Sequence, residues 1–113
     1  MHTTFDLRDG IDIASFQTAW DDFIVFLRAH DLVAGSSAIA KRRDDTPLDT
    51  DSARRHRYFV IMSFCDRAQS EAAWDMIAPR AAPSEQLHSS VLRMVDDPIF
   101  ACWEDDVQSP PDL

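Results

Sequence analysis

The stretch RYFVIMSF, residues 57–64, is the clearest strand in the sequence and decides the fold. Its apolar side chains alternate, with Tyr58, Val60, Met62 and Phe64 on one face and Phe59 and Ile61 on the other. Both faces are apolar, which is typical of a strand in the middle of a sheet that is covered on both sides. A packing layer is therefore needed on each side of this strand.

The residues before this strand predict one further strand and a helix. The alternation of Thr3, Phe5 and Leu7 predicts a strand over residues 2–8. Asp12 is the predicted N-cap of the helix that follows, because its carboxylate can accept from a free backbone N–H of the first turn. The helix has apolar residues at the spacing of one face: Phe16, Trp20, Phe23, Ile24 and Leu27.

Turn and cap signals complete the predicted element order, which is β-α-β-β-α-β followed by a short helix. Residues 32–42 are rich in small side chains and predict the second strand. Asp66 is the predicted N-cap of the second helix. Residues 87–95, LHSSVLRMV, predict the last strand, and Asp97 with Pro98 predicts the start of the short helix.

This order predicts an α+β fold of the ferredoxin-like type, with a four-stranded antiparallel sheet and two helices on one face. We expect one domain over residues 1–105 and an acidic, proline-rich tail over residues 106–113. One helical layer leaves the second apolar face of the central strand uncovered, which is costly in a monomer. The sequence therefore predicts a homodimer in which two sheets pack face to face. Val25 and Phe26, beside the core stripe of the first helix, fit either a wider core face or a second contact with a partner.

Composition and charge exclude several classes of protein. Of the 113 residues, 20 are acidic and 11 are Lys or Arg, so the formal net charge is −9. That charge argues against a nucleic-acid-binding protein and against binding to an anionic membrane. No stretch is apolar and long enough for a signal peptide or a membrane span, so we expect a cytoplasmic protein. Cys65 and Cys102 match no zinc or redox spacing, which favours buried, reduced thiols over the alternative of a disulfide.

Several segments of the chain resemble one superfamily: FDLRDG at 5–10, GSSAIAKRR at 35–43, FVIMSF at 59–64 with Asp66-Arg67 after it, and LHSSVLRMVDDPIFACWED at 87–105. These segments resemble the dimeric α+β barrel superfamily, and within it a small bacterial family with no assigned function. The superfamily includes cofactor-independent monooxygenases, isomerases, haem proteins and stress-induced proteins. The resemblance therefore implies a fold and a dimer, and it does not choose among activities.

The predicted strand order brings a carboxylate and a histidine together. The first and last strands of a ferredoxin-like sheet are adjacent, and when their apolar residues share one face, Asp6 and His88 share the other. A carboxylate beside an imidazole orients the ring and raises its basicity, as general-base catalysis requires. The alternatives to a catalytic role are a polar pair across two strands, or a histidine that is hydrogen-bonded at the dimer interface.

Three hypotheses for the function follow. The first is the binding of a small molecule in a cleft beside the sheet, with candidate ligand-binding residues Tyr58, Met62, Ser90, Leu92 and Arg93. The second is a cofactor-independent monooxygenase or isomerase that acts on a small organic acid or aromatic compound, with His88 and Asp6 as catalytic residues. The third is a structural or interaction role for the dimer.

We expect neither a cofactor nor a metal. With two glycines in the chain, Gly10 and Gly35, a glycine-rich nucleotide-binding loop cannot be built. None of the four histidines lies three or four residues from another histidine or from a cysteine, which is the spacing of local metal sites. A haem would need an axial histidine in an apolar pocket, and His88 is the one candidate, without a supporting motif.

Residues 41–57 carry an uneven share of the positive charge. They contain six basic residues and four aspartates, so this stretch has a net charge of +2 and the rest of the chain has −11. Such a stretch fits a clamp for an anionic ligand or a contact with the acidic tail of a partner subunit. The alternative is a solvated loop with internal ion pairs.

Overall fold

Strand β1, His2–Leu7, lies inside the sheet because it pairs with a neighbouring strand along each of its edges. Burial alternates along it: Thr3, Phe5 and Leu7 are buried, and the residues between them are half-buried. The alternation predicted from the sequence is therefore confirmed. The structure is a computed structural model, and it describes residues 1–106.

Three helices and four further strands follow β1 in the described residues. The helices are α1 (Ile13–Ala29), α2 (Arg67–Ile77) and α3 (Ser84–Leu92). The strands are β2 (Gly35–Ser36), β3 (Ala40–Lys41), β4 (Tyr58–Ser63) and β5 (Val95–Ala101). The strands pair antiparallel in the order β2-β4-β1-β5, with β3 also paired to β4. The chain is thus a small α+β fold with an open antiparallel sheet.

Helix α1 covers one face of the sheet. Its buried residues are those that the helical spacing predicted: Phe16, Trp20, Phe23, Ile24 and Leu27. The ring of Phe16 packs on the ring of Phe5 in β1, with 4.9 Å between the centroids. The indole Nε1 of Trp20 donates a hydrogen bond of 2.8 Å to Oγ of Ser36, so this partly buried polar group has a partner. Helix α3 packs beside α1.

Both predicted N-caps are confirmed. Oδ1 of Asp12 accepts from the backbone N–H of Ser15 at 2.7 Å, and this hydrogen bond lowers the pKa of the Asp12 carboxyl. Oδ1 of Asp66 accepts from the backbone N–H of Gln69 at 2.8 Å. The Gln69 side chain in turn accepts from the N–H of Cys65 at 2.7 Å, one residue before the cap. Local signals of this kind fix where α1 and α2 begin.

The prediction of a last strand over residues 87–95 is wrong. This segment belongs mostly to α3, and β5 begins only at its final residue. The predicted short helix at Asp97 is also wrong, because Asp97 and Pro98 lie within β5. Asp97 has a φ of 50°, in the left-handed region, where the register of β5 against β1 shifts. A proline is tolerated here because β5 is an edge strand with an irregularity at this point.

The predicted second strand is divided. Within residues 32–42, the short strands β2 and β3 each pair with β4. Residues 42–56 follow β3 and contain no regular helix or strand. Apart from Asp106, the predicted tail over residues 106–113 lies outside the described residues.

Two further expectations concern the cysteines and the membrane. Cys65 and Cys102 are both unpaired and both exposed, so the expectation that they are buried is wrong. Each follows the end of a strand, β4 or β5, where the apolar core no longer covers the chain. No helix within residues 1–106 is long and apolar enough to cross a membrane.

The second face of the sheet is apolar and largely uncovered, and we call it the open face. Residues directly opposite each other in antiparallel strands point to the same face. Two rows therefore point to the open face: His2 with Ile61 and Ala101, and Thr4 with Phe59 and Ile99. Ile61 and Ile99 are 38% and 40% exposed, and Trp103, 77% exposed, stacks on the His2 ring at 5.7 Å. The second apolar side of β4 thus lacks the cover that the first side has.

Two substitutions in α1 test which of its faces is the core. Leu27 is 0% exposed and Val25 is 66% exposed. Leu27→Ala should lower the free energy of unfolding by about 2–5 kcal/mol, because it leaves a cavity. Val25→Ala should change it by less than about 0.5 kcal/mol. Urea unfolding followed by circular dichroism measures both, and equal losses would contradict the assigned core face.

Candidate functional site

Helix α3 carries most of the residues of the candidate site. The buried hydroxyl of Ser84 at its start donates to the carbonyl oxygen of Ala81 at 2.7 Å and lies 3.2 Å from that of Met76 in α2. These contacts fasten the start of α3 to the end of α2. Val91, the last residue but one of α3, is buried in the core. One side of α3 therefore faces the sheet, and the other borders solvent.

A cleft of about 710 Å³ opens on the solvent side of α3, and we call it the outer cleft. Its lining residues are Arg8, Glu85, Gln86, Ser89, Ser90, Leu92 and Arg93. Glu85, Ser89 and Arg93 are spaced by four residues, which places them along one side of a helix. The outer cleft is thus a polar surface of α3, completed by Arg8 just after β1.

Two guanidinium groups are held in place in the outer cleft. Nε of Arg8 donates to the carbonyl oxygen of Val95 at 3.0 Å, and Nε of Arg93 donates to that of Ser89 at 3.3 Å. Within residues 1–106, the Nη atoms of both arginines have no hydrogen-bond partner. Oε1 of Glu85 accepts from the Ser89 hydroxyl at 2.8 Å. The cleft therefore presents two oriented cations against one carboxylate that is already engaged.

A smaller cavity of about 60 Å³ lies between the sheet and helices α1 and α3, and we call it the inner cavity. Its walls are formed by Met1, Thr3, Phe5, Phe16, Trp20, Phe23, Val60, Met62, His88, Val91, Leu92, Val95, Pro98 and Phe100. The lining is mostly apolar, and the Trp20 indole in it is already hydrogen-bonded to Ser36. Within residues 1–106, the Thr3 hydroxyl and the His88 imidazole have no hydrogen-bond partner. Because Leu92 lines both spaces, the outer cleft and the inner cavity are neighbours.

His88 stands in the wall of the inner cavity, half-buried. Its ring is tilted against the ring of Phe23, with 5.6 Å between the centroids. Removal from water lowers the pKa of His88; Glu85 opposes this shift and Arg80 adds to it. The imidazole is therefore neutral at neutral pH, and it can accept a hydrogen bond or a proton from a ligand.

The expected shared face of Asp6 and His88 is wrong. Side chains alternate along β1, so Asp6 points to the open face, whereas His88 lines the cavity on the helix-covered side. Oδ1 of Asp6 accepts from the backbone N–H of Arg57 at 3.0 Å and from its Nε at 3.3 Å. In β5 the residue opposite Asp6 is Asp96. The expectation depended on a strand over 87–95, and that segment is mostly helical.

The structure brings most of the predicted ligand-binding residues to the two neighbouring spaces. Met62 lines the inner cavity, Ser90 and Arg93 line the outer cleft, and Leu92 lines both. Tyr58 lines neither; its ring stacks on Phe5 at 5.7 Å, behind the cavity wall. Ser90, Leu92 and Arg93 lie in the segment predicted as the last strand, yet they still meet because Ser90 and Leu92 belong to α3 and Arg93 caps its end.

Sequence reasoning missed Arg8, Glu85 and Ser89. Arg8 falls within the predicted first strand, residues 2–8, whereas it lies just after β1 in the structure. Ser89 lies within the segment 87–95 that is predicted as a strand, and Glu85 precedes that segment. The four-residue spacing of Glu85, Ser89 and Arg93 fits one side of a helix, but it fits one face of a strand equally well, so it does not identify the polar side of α3.

The described part of the chain, residues 1–106, contains no side-chain cluster or cavity that fits a metal ion or a haem. Within residues 1–106, no three side chains of the His, Cys, Asp or Glu types lie close enough together to hold a metal ion. The inner cavity, which His88 lines, has a volume of about 60 Å³. That is about the space of two water molecules in the liquid, and it does not fit a macrocycle in this conformation.

The neutral state of His88 predicts a pH-dependent stability. Because the pKa of His88 is below the ordinary histidine value of 6.5, the unfolded chain binds more protons than the folded chain near that pH. The free energy of unfolding should therefore fall as the pH is lowered through 6.5, and level off below the pKa of the folded state. His88→Gln should remove this part of the profile. Urea unfolding at a series of pH values measures this, and an unchanged slope in His88→Gln would contradict the buried, neutral histidine.

The comparison with protein families covers the whole candidate site. A model described as a family of unknown function, DUF6614, matches residues 1–106, which include every residue that lines the outer cleft and the inner cavity. No curated protein and no solved structure gives a significant match. The match to the family model spans nearly the full chain. The chain therefore belongs to DUF6614, a family of unknown function.

Proposed function

We propose that this protein binds a small organic acid with an apolar part at helix α3. The acid group would lie in the outer cleft, on the guanidinium groups of Arg8 and Arg93. The apolar part would enter the inner cavity past Leu92. The observation that carries the proposal is the position of Leu92, which separates a cationic cleft from an apolar cavity.

The arginines favour a carboxylate as the acid group. A guanidinium offers a planar set of donors that matches the two oxygens of a carboxylate. In Arg8 and Arg93 the Nε atom is bonded to a backbone carbonyl, so each side chain is already oriented before a ligand arrives. This orientation lowers the conformational entropy lost on binding. Because the chain carries a net charge of −9, attraction of an anion has to come from such local cations.

The size of the inner cavity limits the apolar part of the ligand. Its volume of about 60 Å³ accommodates a short apolar group without rearrangement. Leu92 and Phe100, which line the cavity, are 37% and 52% exposed, so their side chains are free to move outward. A larger group, such as an aromatic ring, would enter by displacing these two side chains.

An enzyme of the cofactor-independent monooxygenase or isomerase type is the second candidate. The neutral imidazole of His88 in the cavity wall supports a role as a general base toward a bound acid. Asp6 does not support it, because β1 separates Asp6 from the cavity. On this candidate His88 would act without the carboxylate partner that the sequence suggested.

Benzoate is a suitable probe for the proposed site, since it combines a carboxylate with an apolar ring. In ¹H–¹⁵N NMR titrations, benzoate should shift the amide signals of α3 and of residues 93–95. Arg93→Gln should weaken binding by about tenfold, which corresponds to the loss of one charge-assisted hydrogen bond. Arg28→Gln, an exposed arginine on α1 with the same change in charge, should leave binding unchanged. Equal effects of the two variants, or shifts elsewhere in the chain, would overturn the proposal.

We further propose that two copies of this chain pack through their open faces, in a ferredoxin-like, dimeric arrangement. When β2 and β3 are counted as one interrupted strand, the order in the sheet is second, third, first, fourth, with all neighbours antiparallel. This order supports the split β-α-β layout that the resemblance implies. The exposed apolar side chains of Ile61, Ile99 and Trp103 support a partner on this face.

A pair of matched charge substitutions tests the dimer and locates its interface. Sedimentation velocity at micromolar concentration should give twice the mass of the chain for the wild type. Ile61→Asp, on the open face, should give the monomer mass, because it places a carboxylate on the apolar surface between the two sheets, where burial of a charge is costly. Val25→Asp, on the opposite side of the sheet, should remain dimeric. A monomeric wild type would overturn the dimer, and a monomer caused by Val25→Asp alone would move the interface to α1.

A further inference from the structure

A second space lined by charged groups lies in the loop between β3 and β4, far along the chain from α3. It has a volume of about 600 Å³, within the range of small-molecule sites. Five basic residues line it: Lys41, Arg42, Arg54, Arg55 and Arg57. Three aspartates line it as well. Its attraction for an anion therefore depends on which of these charged side chains already form ion pairs or hydrogen bonds with each other.

Arg42 organises this loop from within. Its guanidinium donates to both carboxylate oxygens of Asp49, each at 2.7 Å, and to the carbonyl oxygen of Asp51 at 2.7 Å. It also donates to the carbonyl oxygen of Arg54. The hydrogen bond from Arg42 lowers the pKa of the Asp49 carboxyl, so this pair stays charged over a wide pH range. Arg42 and Asp49 therefore hold the loop in shape and are not free for a ligand.

A second aspartate is engaged by the backbone. Oδ1 of Asp51 accepts from the N–H groups of Ala53 at 3.0 Å and Arg54 at 3.1 Å, and these hydrogen bonds lower the pKa of Asp51. Asp44 is the lining aspartate that has no hydrogen bond or ion pair within residues 1–106. Two further cations are in ion pairs: Arg54 lies 3.8 Å from Asp51, and Arg57 lies 3.3 Å from Asp6. Within residues 1–106, Lys41 and Arg55 are therefore the lining cations without an ion pair, and Asp44 is the lining carboxylate without one.

The end of the loop is anchored to the sheet. His56 is 8% exposed, and its Nε2 donates to the carbonyl oxygen of Asp97 at 2.7 Å and lies 3.0 Å from Oδ2 of the same residue. The next residue, Arg57, donates from its backbone N–H to Asp6 at 3.0 Å. The hydrogen bonds of Arg42 therefore hold the loop from within, and we call them the brace. The end of the loop is in addition fixed to β1 and β5.

We propose that this loop binds a small polyanion of the phosphate or diphosphate type. Phosphate oxygens are acceptors without donors, and they suit a ring of Lys and Arg side chains. Residues 41–57 have a net charge of +2 in a chain whose other residues carry −11, so an anion finds favourable local potential here. Because the brace fixes the loop before binding, less conformational entropy is lost when the ligand is held. This site is independent of the organic-acid site at α3.

Isothermal titration calorimetry with pyrophosphate on the full chain at low salt tests this proposal. The double variant Lys41→Gln/Arg55→Gln should bind about tenfold or more weakly, since it removes two cations that do not brace the loop. Arg93→Gln, which removes a cation from the outer cleft, should bind like the wild type and so distinguishes the two sites. No binding by the wild type at millimolar pyrophosphate, or equal weakening in Arg93→Gln, would overturn the proposal.

Arg42→Lys tests whether the brace matters. Lysine keeps the charge but cannot bond both oxygens of Asp49 and two carbonyl groups at once. Pyrophosphate should therefore bind more weakly to Arg42→Lys, while circular dichroism of the folded chain stays unchanged. Hydrogen exchange of the amides of Ala53 and Arg54 should become faster. Wild-type affinity in Arg42→Lys would overturn the role of a pre-organised loop.

Discussion

Strand β1 pairs with β4 along one edge and with β5 along the other, and the two faces of the molecule depend on its alternation. Its odd-numbered residues meet α1, where Phe5 packs on Phe16. Its even-numbered residues point to the open face. A shift of one residue in the register of β1 would exchange these two sets and expose the core. The inner cavity lies on one side of β1, and Asp6 and the apolar rows of the open face lie on the other.

The elements that were predicted well are those whose signals are local. In β1 the alternation lies within six residues, and in α1 the helical spacing continues over three turns. The caps at Asp12 and Asp66 each need only the following three residues. The apolar pattern of β4 also predicted an uncovered face, which the exposed Ile61 bears out. In each case the side chains that determine the structure are neighbours in sequence.

The region from Ser84 to Ala101 was predicted poorly because its signals are ambiguous. The apolar residues of LHSSVLRMV fit a strand as well as a helix. Leu87 and Val91 are four residues apart, which equals two repeats of the strand period and about one helical turn. Asp97 and Pro98 are frequent at a helix start, but here they form an irregularity in an edge strand. Only the pairing of β5 with β1, a contact distant in sequence, decides between these alternatives. The sequence therefore predicted several residues of the candidate site around α3, but the predicted pairing of Asp6 with His88 is wrong.

The separation of Asp6 from His88 bears on what the site can do. A carboxylate beside an imidazole would raise the pKa of the histidine and make it a stronger base. Here burial lowers the pKa of His88, and the nearest opposing influence is Glu85, on the same helix. A neutral imidazole of low basicity is well suited to hydrogen bonding with a bound molecule, and less suited to removing a proton from carbon. Together with two arginines already oriented by backbone carbonyls, this environment fits the acid binding that we propose better than it fits the enzymatic alternative.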